Sequence, residues 1–118
     1  MGVHNTIKSR EELEQLFSNG MYVATPLFAA RICETPEGRG PGGRVAFVAG
    51  KKLGNAVLRN RSKRVMREMA RRNAFPMPGY DVVFIARRGT ATGSVDELDA
   101  SCQRLCKRIA KERTHGRA

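Results

Sequence analysis

A protein that cuts a phosphodiester needs an acid–base pair or carboxylates and imidazoles that hold a metal. The residues of this chain with that chemistry are few and poorly spaced. Histidine occurs only as His4 and His115, one near each end, where chains fray. Asp96, Glu97 and Asp99 cluster, but at the first turn of a predicted helix, where acids complement the helix dipole. Cys102 and Cys106 stand four apart without further metal-ligand residues, and core packing explains them better than zinc. Lys51 and Lys52 lie between Gly50 and Gly54, as in a phosphate loop, but the Walker spacing is missing. The expectation is no catalytic residue, no metal cage and no small-molecule substrate.

The cations have the stronger pattern. Among 118 residues, Lys plus Arg number 22 against 11 acids, a net charge of +11. Residues 1–50 are neutral overall. Residues 51–72 carry 9 bases and 1 acid, and residues 100–118 carry 6 bases and 1 acid. A field so concentrated points to a polyanion, and nucleic acid comes first. Solvated helix faces usually mix signs into i,i+4 pairs. Here Arg64, Arg67 and Arg71 repel one another, with only Glu68 to relieve them. Apolar runs are too short to span a bilayer, so no membrane partner is expected. Three cysteines fit no disulfide framework, and a reduced, cytoplasmic compartment is inferred.

Periodicity gives the secondary structure that carries these residues. Ser9 and Glu12 have capping-box spacing, and Leu13, Leu16 and Phe17 form one stripe, so a first helix runs to Gly20. Met21–Thr25 and Leu27–Glu34 read as strands separated by Pro26, and Arg44–Ala49 as a returning strand. Residues 34–43 then form a flexible, Gly- and Pro-rich hairpin loop. From Asn55 to about Asn73 the period is helical. Leu58, Ser62, Val65, Met66 and Met69 share one arc, most of the bases take the other half, and Arg59 lies at the border. Tyr80–Arg87 alternates apolar residues on both faces and reads as a strand buried on both sides. Ser94 and Glu97 open a last helix with a stripe at Leu98, Cys102, Leu105 and Ile109, and residues 114–118 read as a frayed tail. The prediction is one α+β domain over 1–118. Its order is α-β-β-β-α-β-α, with a central four-stranded sheet packed with three helices.

The stretch Lys51–Glu68, KKLGNAVLRNRSKRVMRE, closely resembles the signature of the bacterial ribonuclease P protein subunit. The paired lysines, Gly54-Asn55-Ala56-Val57, Arg59-Asn60-Arg61, Lys63-Arg64 and Arg67-Glu68 all match it without a gap. Phe17 and Gly20, and Asp81-Val-Val followed by Ala86-Arg87, extend the likeness over nearly the whole chain. Before the lysine pair this chain has Phe47-Val48-Ala49-Gly50 where the family commonly has Ser-Val-Ser.

The resemblance implies a left-handed βαβ crossover through the basic helix, where general chirality rules favour the right-handed one. It implies a subunit that binds ribonuclease P RNA and the 5′ leader of precursor tRNA. Hydrolysis then belongs to the RNA subunit with Mg²⁺, which explains a polypeptide without an active site. The residues expected to bind RNA are Lys51, Lys52, Asn55, Arg59, Asn60, Arg61, Lys63, Arg64, Arg67 and Arg71. Phe17, Tyr22, Phe28 and Phe47 are expected to form an aromatic leader cleft, since single strands stack on such floors. The rival reading is a ribosomal or other structural RNA-binding protein with no processing role.

Overall fold

Pro26 breaks what would otherwise be one long run of strand residues, and the chain reverses there. Strand β1 (Met21–Ala24) pairs antiparallel with β2 (Phe28–Glu34), Val23 facing Ala30. Thr25 closes the turn: its N–H and its hydroxyl both donate to the Phe28 carbonyl, at 2.8 and 2.7 Å. The Phe28 N–H donates back to the Thr25 hydroxyl at 3.0 Å. The structure is a computed structural model that describes residues 20–35 and 43–116, with side chains as far as Lys111. The first helix predicted before Gly20, including Phe17, lies outside the described residues, as does the 36–42 segment.

Strand β3 (Arg44–Val48) does not return beside β2. Strand β4 (Tyr80–Ala86) lies between them, antiparallel to β2 and parallel to β3, giving the order β1-β2-β4-β3. The expected hairpin between β2 and β3 is therefore corrected: residues 34–43 join two strands that are not neighbours. The reason is hydrophobic. Val82, Val83 and Phe84 are all fully buried, more completely than Val45 and Ala46 of the edge strand β3, and a central position with neighbours on both sides gives that burial. Gly43 sits where this connection meets the chain before β4. A methyl group there would collide with the Met77 and Tyr80 carbonyl oxygens.

The register places Phe28, Ala30 and Ile32 of β2, Val45 and Phe47 of β3, and Val82 and Phe84 of β4 on one face. Two helices cover that face. Helix α1 (Ala56–Arg72) contributes Met66, Met69 and Ala70, and α2 (Val95–Gly116) contributes Leu98, Cys102, Leu105 and Ile109. Phe84 is the hub. Phe28 and Phe75 meet it edge-on, with centroids at 5.6 and 5.1 Å, and Phe47 stacks on it at 5.5 Å. Each such side chain contributes about 1.5–3 kcal/mol by burial. Among the described residues no helix is long and apolar enough to cross a membrane.

Local chemistry sets the helix ends. The Asn55 side chain caps α1 by accepting from the Leu58 N–H at 2.9 Å. Ser62 survives on the buried arc because its hydroxyl donates to the Leu58 carbonyl at 2.9 Å. At the other end the Phe75 N–H donates to the Ala70 carbonyl at 2.9 Å and the Ala74 N–H to that of Arg71 at 3.3 Å. This is a Schellman ending with Ala74 in the left-handed position, φ 64°. In α2 the predicted capping box is reciprocal. The Ser94 N–H donates to Glu97 Oε1, and the Glu97 N–H to Ser94 Oγ, both at 3.1 Å. The helix runs through Gly116, three residues into the span 114–118 that reads as a tail, although Thr114, His115 and Gly116 are weak helix formers.

Asp99 does more than complement a dipole. It accepts from Arg72 Nη2 at 2.9 Å, from Arg72 Nε at 3.1 Å and from Asn73 Nδ2 at 3.1 Å, tying the end of α1 to the start of α2. The Arg72 hydrogen bond holds the Asp99 carboxyl below the usual carboxylate range. The stability this link contributes is present above the ordinary carboxylate pKa and fades as pH falls through the lowered one.

Ala74 supplies a test of the backbone reading. A left-handed alanine costs about 1–2 kcal/mol, part of which glycine's extra unfolded-state freedom offsets. Ala74→Gly should therefore stabilise the protein by about 0.5–1 kcal/mol, measured by denaturant unfolding. A lower midpoint would contradict the assigned helix ending.

Candidate nucleic-acid interface

Helix α1 is 17 residues long and buries one side only. Its other side has a groove of about 550 Å³ lined by Val57, Asn60, Arg61, Arg64 and Arg67. Those positions follow the i, i+3, i+4, i+7 spacing, so their side chains line up along the helix. The groove lining holds no acid among the described residues, and Val57 is 77% exposed within it. Arg61, Arg64, Arg67 and Arg71 are exposed and make no ion pair with any described acid. Arg67 also spreads over the Phe47 ring, 5.7 Å from its centroid, which anchors one cation to the core.

The other predicted RNA-binding residues surround this groove. Arg59 is half-buried, as its border position suggested, and its Nε is buried without a hydrogen-bond partner. Lys63 is half-buried on the flank of the helix. Asn55 is exposed, but its side-chain oxygen is committed to the cap, leaving its amide group outward. Lys51 and Lys52 are exposed in a 3₁₀ turn, Lys51–Leu53, that links β3 to α1.

Sequence reasoning missed Arg87 and Arg88. Because β3 and β4 run parallel, the segments that leave their C-terminal ends emerge at the same end of the sheet. Lys52 there lines a groove of about 340 Å³ with Leu53, Ile85, Ala86, Arg87 and Arg88. The signal was the Arg pair directly after a strand, but the parallel pairing was needed to read it. Arg87 Nη1 also donates to the Thr25 carbonyl at 3.1 Å, across the end of β2.

The aromatic floor is corrected. Phe28 is fully buried in the helix-covered core and has no surface to offer a base. Phe47 shares that face, half-buried under Arg67. Tyr22 pairs with Arg31 and belongs to the opposite face. A sheet alternates its side chains, so these three residues cannot form one floor. What the opposite face presents is Tyr22, 49% exposed, with the Arg31 guanidinium 4.9 Å from its ring centroid. The half-buried Cys33, Val48 and Ile85 surround Val83 and Ala46 on that face. Among the described residues, no group of three or more His, Cys, Asp and Glu side chains is placed to hold a metal ion. All three cysteines are free.

Comparison with known proteins gives a consistent result. The family model described as Ribonuclease P matches residues 1–110. The ribonuclease P protein component of Dehalococcoides mccartyi strain CBDB1 is 37% identical over 101 residues, 86% of this chain and 81% of that one. The one from Natranaerobius thermophilus is 37% identical over 109 residues, 91% and 88% of the two chains. The solved RNase P protein of Staphylococcus aureus superimposes with a TM-score of 0.74 at 28% identity, covering 92% of this chain and 97% of its own. An S. aureus RNase P protein mutant described as defective in mRNA degradation activity gives 0.75 at 29% identity, with 91% and 88% covered.

The two sheet faces predict different consequences of removing an aromatic. Phe28→Ala should lower unfolding stability by about 3–5 kcal/mol, as for a core phenylalanine. Tyr22→Ala should cost under about 1 kcal/mol. Equal losses in chemical denaturation would contradict the assignment of faces.

Proposed function

This chain belongs to the ribonuclease P protein family, and on that basis we propose that it binds ribonuclease P RNA through the cationic face of α1 and supports removal of the 5′ leader from precursor tRNA. The observation that carries the reading is the row Asn60, Arg61, Arg64, Arg67 along an open groove, its arginines without described acidic partners. Arginine forks match phosphate oxygens in pairs, and a phosphate backbone is the anion that supplies them in series. Folding alone gives no reason to line up unneutralised cations.

Within this reading the chemistry belongs to the RNA subunit and the Mg²⁺ it holds. The polypeptide binds, neutralises and orients. The leader lies along the side of the sheet opposite α1 and α2, where Tyr22 over Arg31 offers one stacking surface and the Lys52–Arg88 groove holds backbone. This replaces the four-aromatic floor by one aromatic and its cation. Asn60 and Arg61 belong to the contact with the RNA subunit.

The experiment is reconstitution. Adding the protein to ribonuclease P RNA at low Mg²⁺ should restore cleavage at the mature 5′ end, and no stimulation would overturn the reading in favour of a structural RNA-binding protein. With about six phosphates neutralised, log K against log salt should slope near −4 to −5. Arg64→Ala/Arg67→Ala/Arg71→Ala should flatten that slope by roughly two to three units; an unchanged slope would leave the face merely solvated. Tyr22→Ala should weaken precursor but not mature tRNA binding by the assembled complex.

The S. aureus mutant described as defective in mRNA degradation activity suggests mRNA as a second RNA for the test. Protein purified free of RNA should leave both precursor tRNA and an mRNA intact. Correct cleavage by the protein alone would show that the polypeptide carries chemistry after all.

A further inference from the structure

The second block of positive charge, in the last helix, has no part in the cationic face of α1. Arg104, Lys107, Arg108 and Lys111 stand at i, i+3, i+4 and i+7 and share one side of α2. They line a groove of about 360 Å³ whose other wall is Val23, Ala24, Thr25 and Pro26. Arg104, Lys107 and Lys111 are exposed and make no ion pair with any described acid. The acids of this helix are Asp96, Glu97 and Asp99 in its first turns, where Asp99 is occupied by Arg72, and Glu112 beyond the stripe; among the described residues no acid lines the groove.

The groove beside Lys52 lies at the same end of the sheet, and one hydrogen bond links the linings of the two. The ends of β1, β3 and β4 and the start of β2 meet at the same end of the sheet. Arg87 lines the Lys52 groove, and its guanidinium donates to the carbonyl of Thr25, which lines the α2 groove. Cations therefore succeed one another from Lys52 and Arg88 through Arg87 to the α2 stripe. Val23, Ala24 and Pro26 give the α2 groove an apolar wall against which sugars can rest.

We infer that the α2 stripe and the Pro26 turn form a second RNA-backbone site, distinct from the face of α1, that takes the phosphates of a further strand segment. The inference rests on the proposed function in that the chain is read as RNA-binding. The groove's charged lining is entirely donors, which suits a phosphodiester chain with its regular anions. Cations near a helix C-terminus also complement its dipole. That role would change the melting temperature and leave RNA binding untouched, so the two roles are separable.

The test uses the full chain with Arg104→Ala/Lys107→Ala/Lys111→Ala, and Lys107→Gln/Lys111→Gln as a milder variant. Each is compared with Arg64→Ala/Arg67→Ala/Arg71→Ala. Two salt slopes are measured: for ribonuclease P RNA binding the protein, and for precursor tRNA binding the reconstituted complex. The α2 triple should flatten one of them by roughly two to three units and the milder pair by one to two. Which slope changes tells whether the phosphates belong to the RNA subunit or the substrate. Combining both triples should add their effects, as for separate sites. If both slopes stay unchanged in folded α2 variants, the site is overturned, whatever the α1 triple does. If only the α1 triple leaves the slopes unchanged, the reading of α1 falls and the α2 site stands.

Discussion

Strand β4 hydrogen-bonds to β2 on one side and to β3 on the other, and most of what the molecule presents to solvent depends on that placement. Val82, Val83 and Phe84 are all fully buried, more completely than Val45 and Ala46 of the edge strand β3. Once β4 is central and parallel to β3, the intervening chain must travel back along the sheet, and α1 is that return. The helix is thereby laid across a core face it covers with Met66, Met69 and Ala70. Its arginines have no direction left but outward. The same parallel pairing delivers Lys52 and Arg87 to one end of the sheet. Two cationic surfaces thus trace to the burial of one strand.

The sheet also divides the aromatics by role. Phe84 collects Phe28, Phe47 and Phe75 around it in edge and stacked contacts, and these fix how the helices lie on the strands. Arg67 over Phe47 joins this core to the cationic face of α1, so a cation on the surface is held by packing rather than by an acid. An arginine held this way loses little further freedom on meeting phosphate, which favours binding.

Helical and strand periodicity revealed α1 to within a residue, both faces of β4, the α2 stripe and its capping box, because each is a local pattern with a local cause. The row of cations along the outer side of α1 was readable for the same reason: residues on one helix keep their angular relations whatever the fold. The aromatic floor was not readable. Whether Tyr22 and Phe28 share a face depends on a turn at Pro26, since three residues between strands can restore or reverse parity. The placing of β3 failed likewise. Adjacent strands joined by a loop suggest a hairpin, and only competition for the central position, decided by β4 some forty residues later, removes β3 from β2. Arg87 and the Thr25 carbonyl are brought together by pairing of distant strands, and nothing local announces it.

The magnitude of the repulsion along α1 explains how such a helix exists before its partner arrives. Arg59 with Lys63, Arg61 with Arg64, Lys63 and Arg64 with Arg67, and Arg67 with Arg71 are like-charged neighbours at helical spacing. Each costs about 0.2–0.5 kcal/mol when solvated. Together the five pairs cost roughly 1–2.5 kcal/mol, part of which Glu68 offsets. Burial of Met66 and Met69 outweighs it, at about 1.5–3 kcal/mol apiece. The helix is therefore preformed in the free protein, and its charges are in place before any anion is present. A preformed row meets a backbone without a folding cost, and relief of self-repulsion adds to the binding energy. The two methionines on the inner arc are thus what allows the arginines on the outer one to stand in a row.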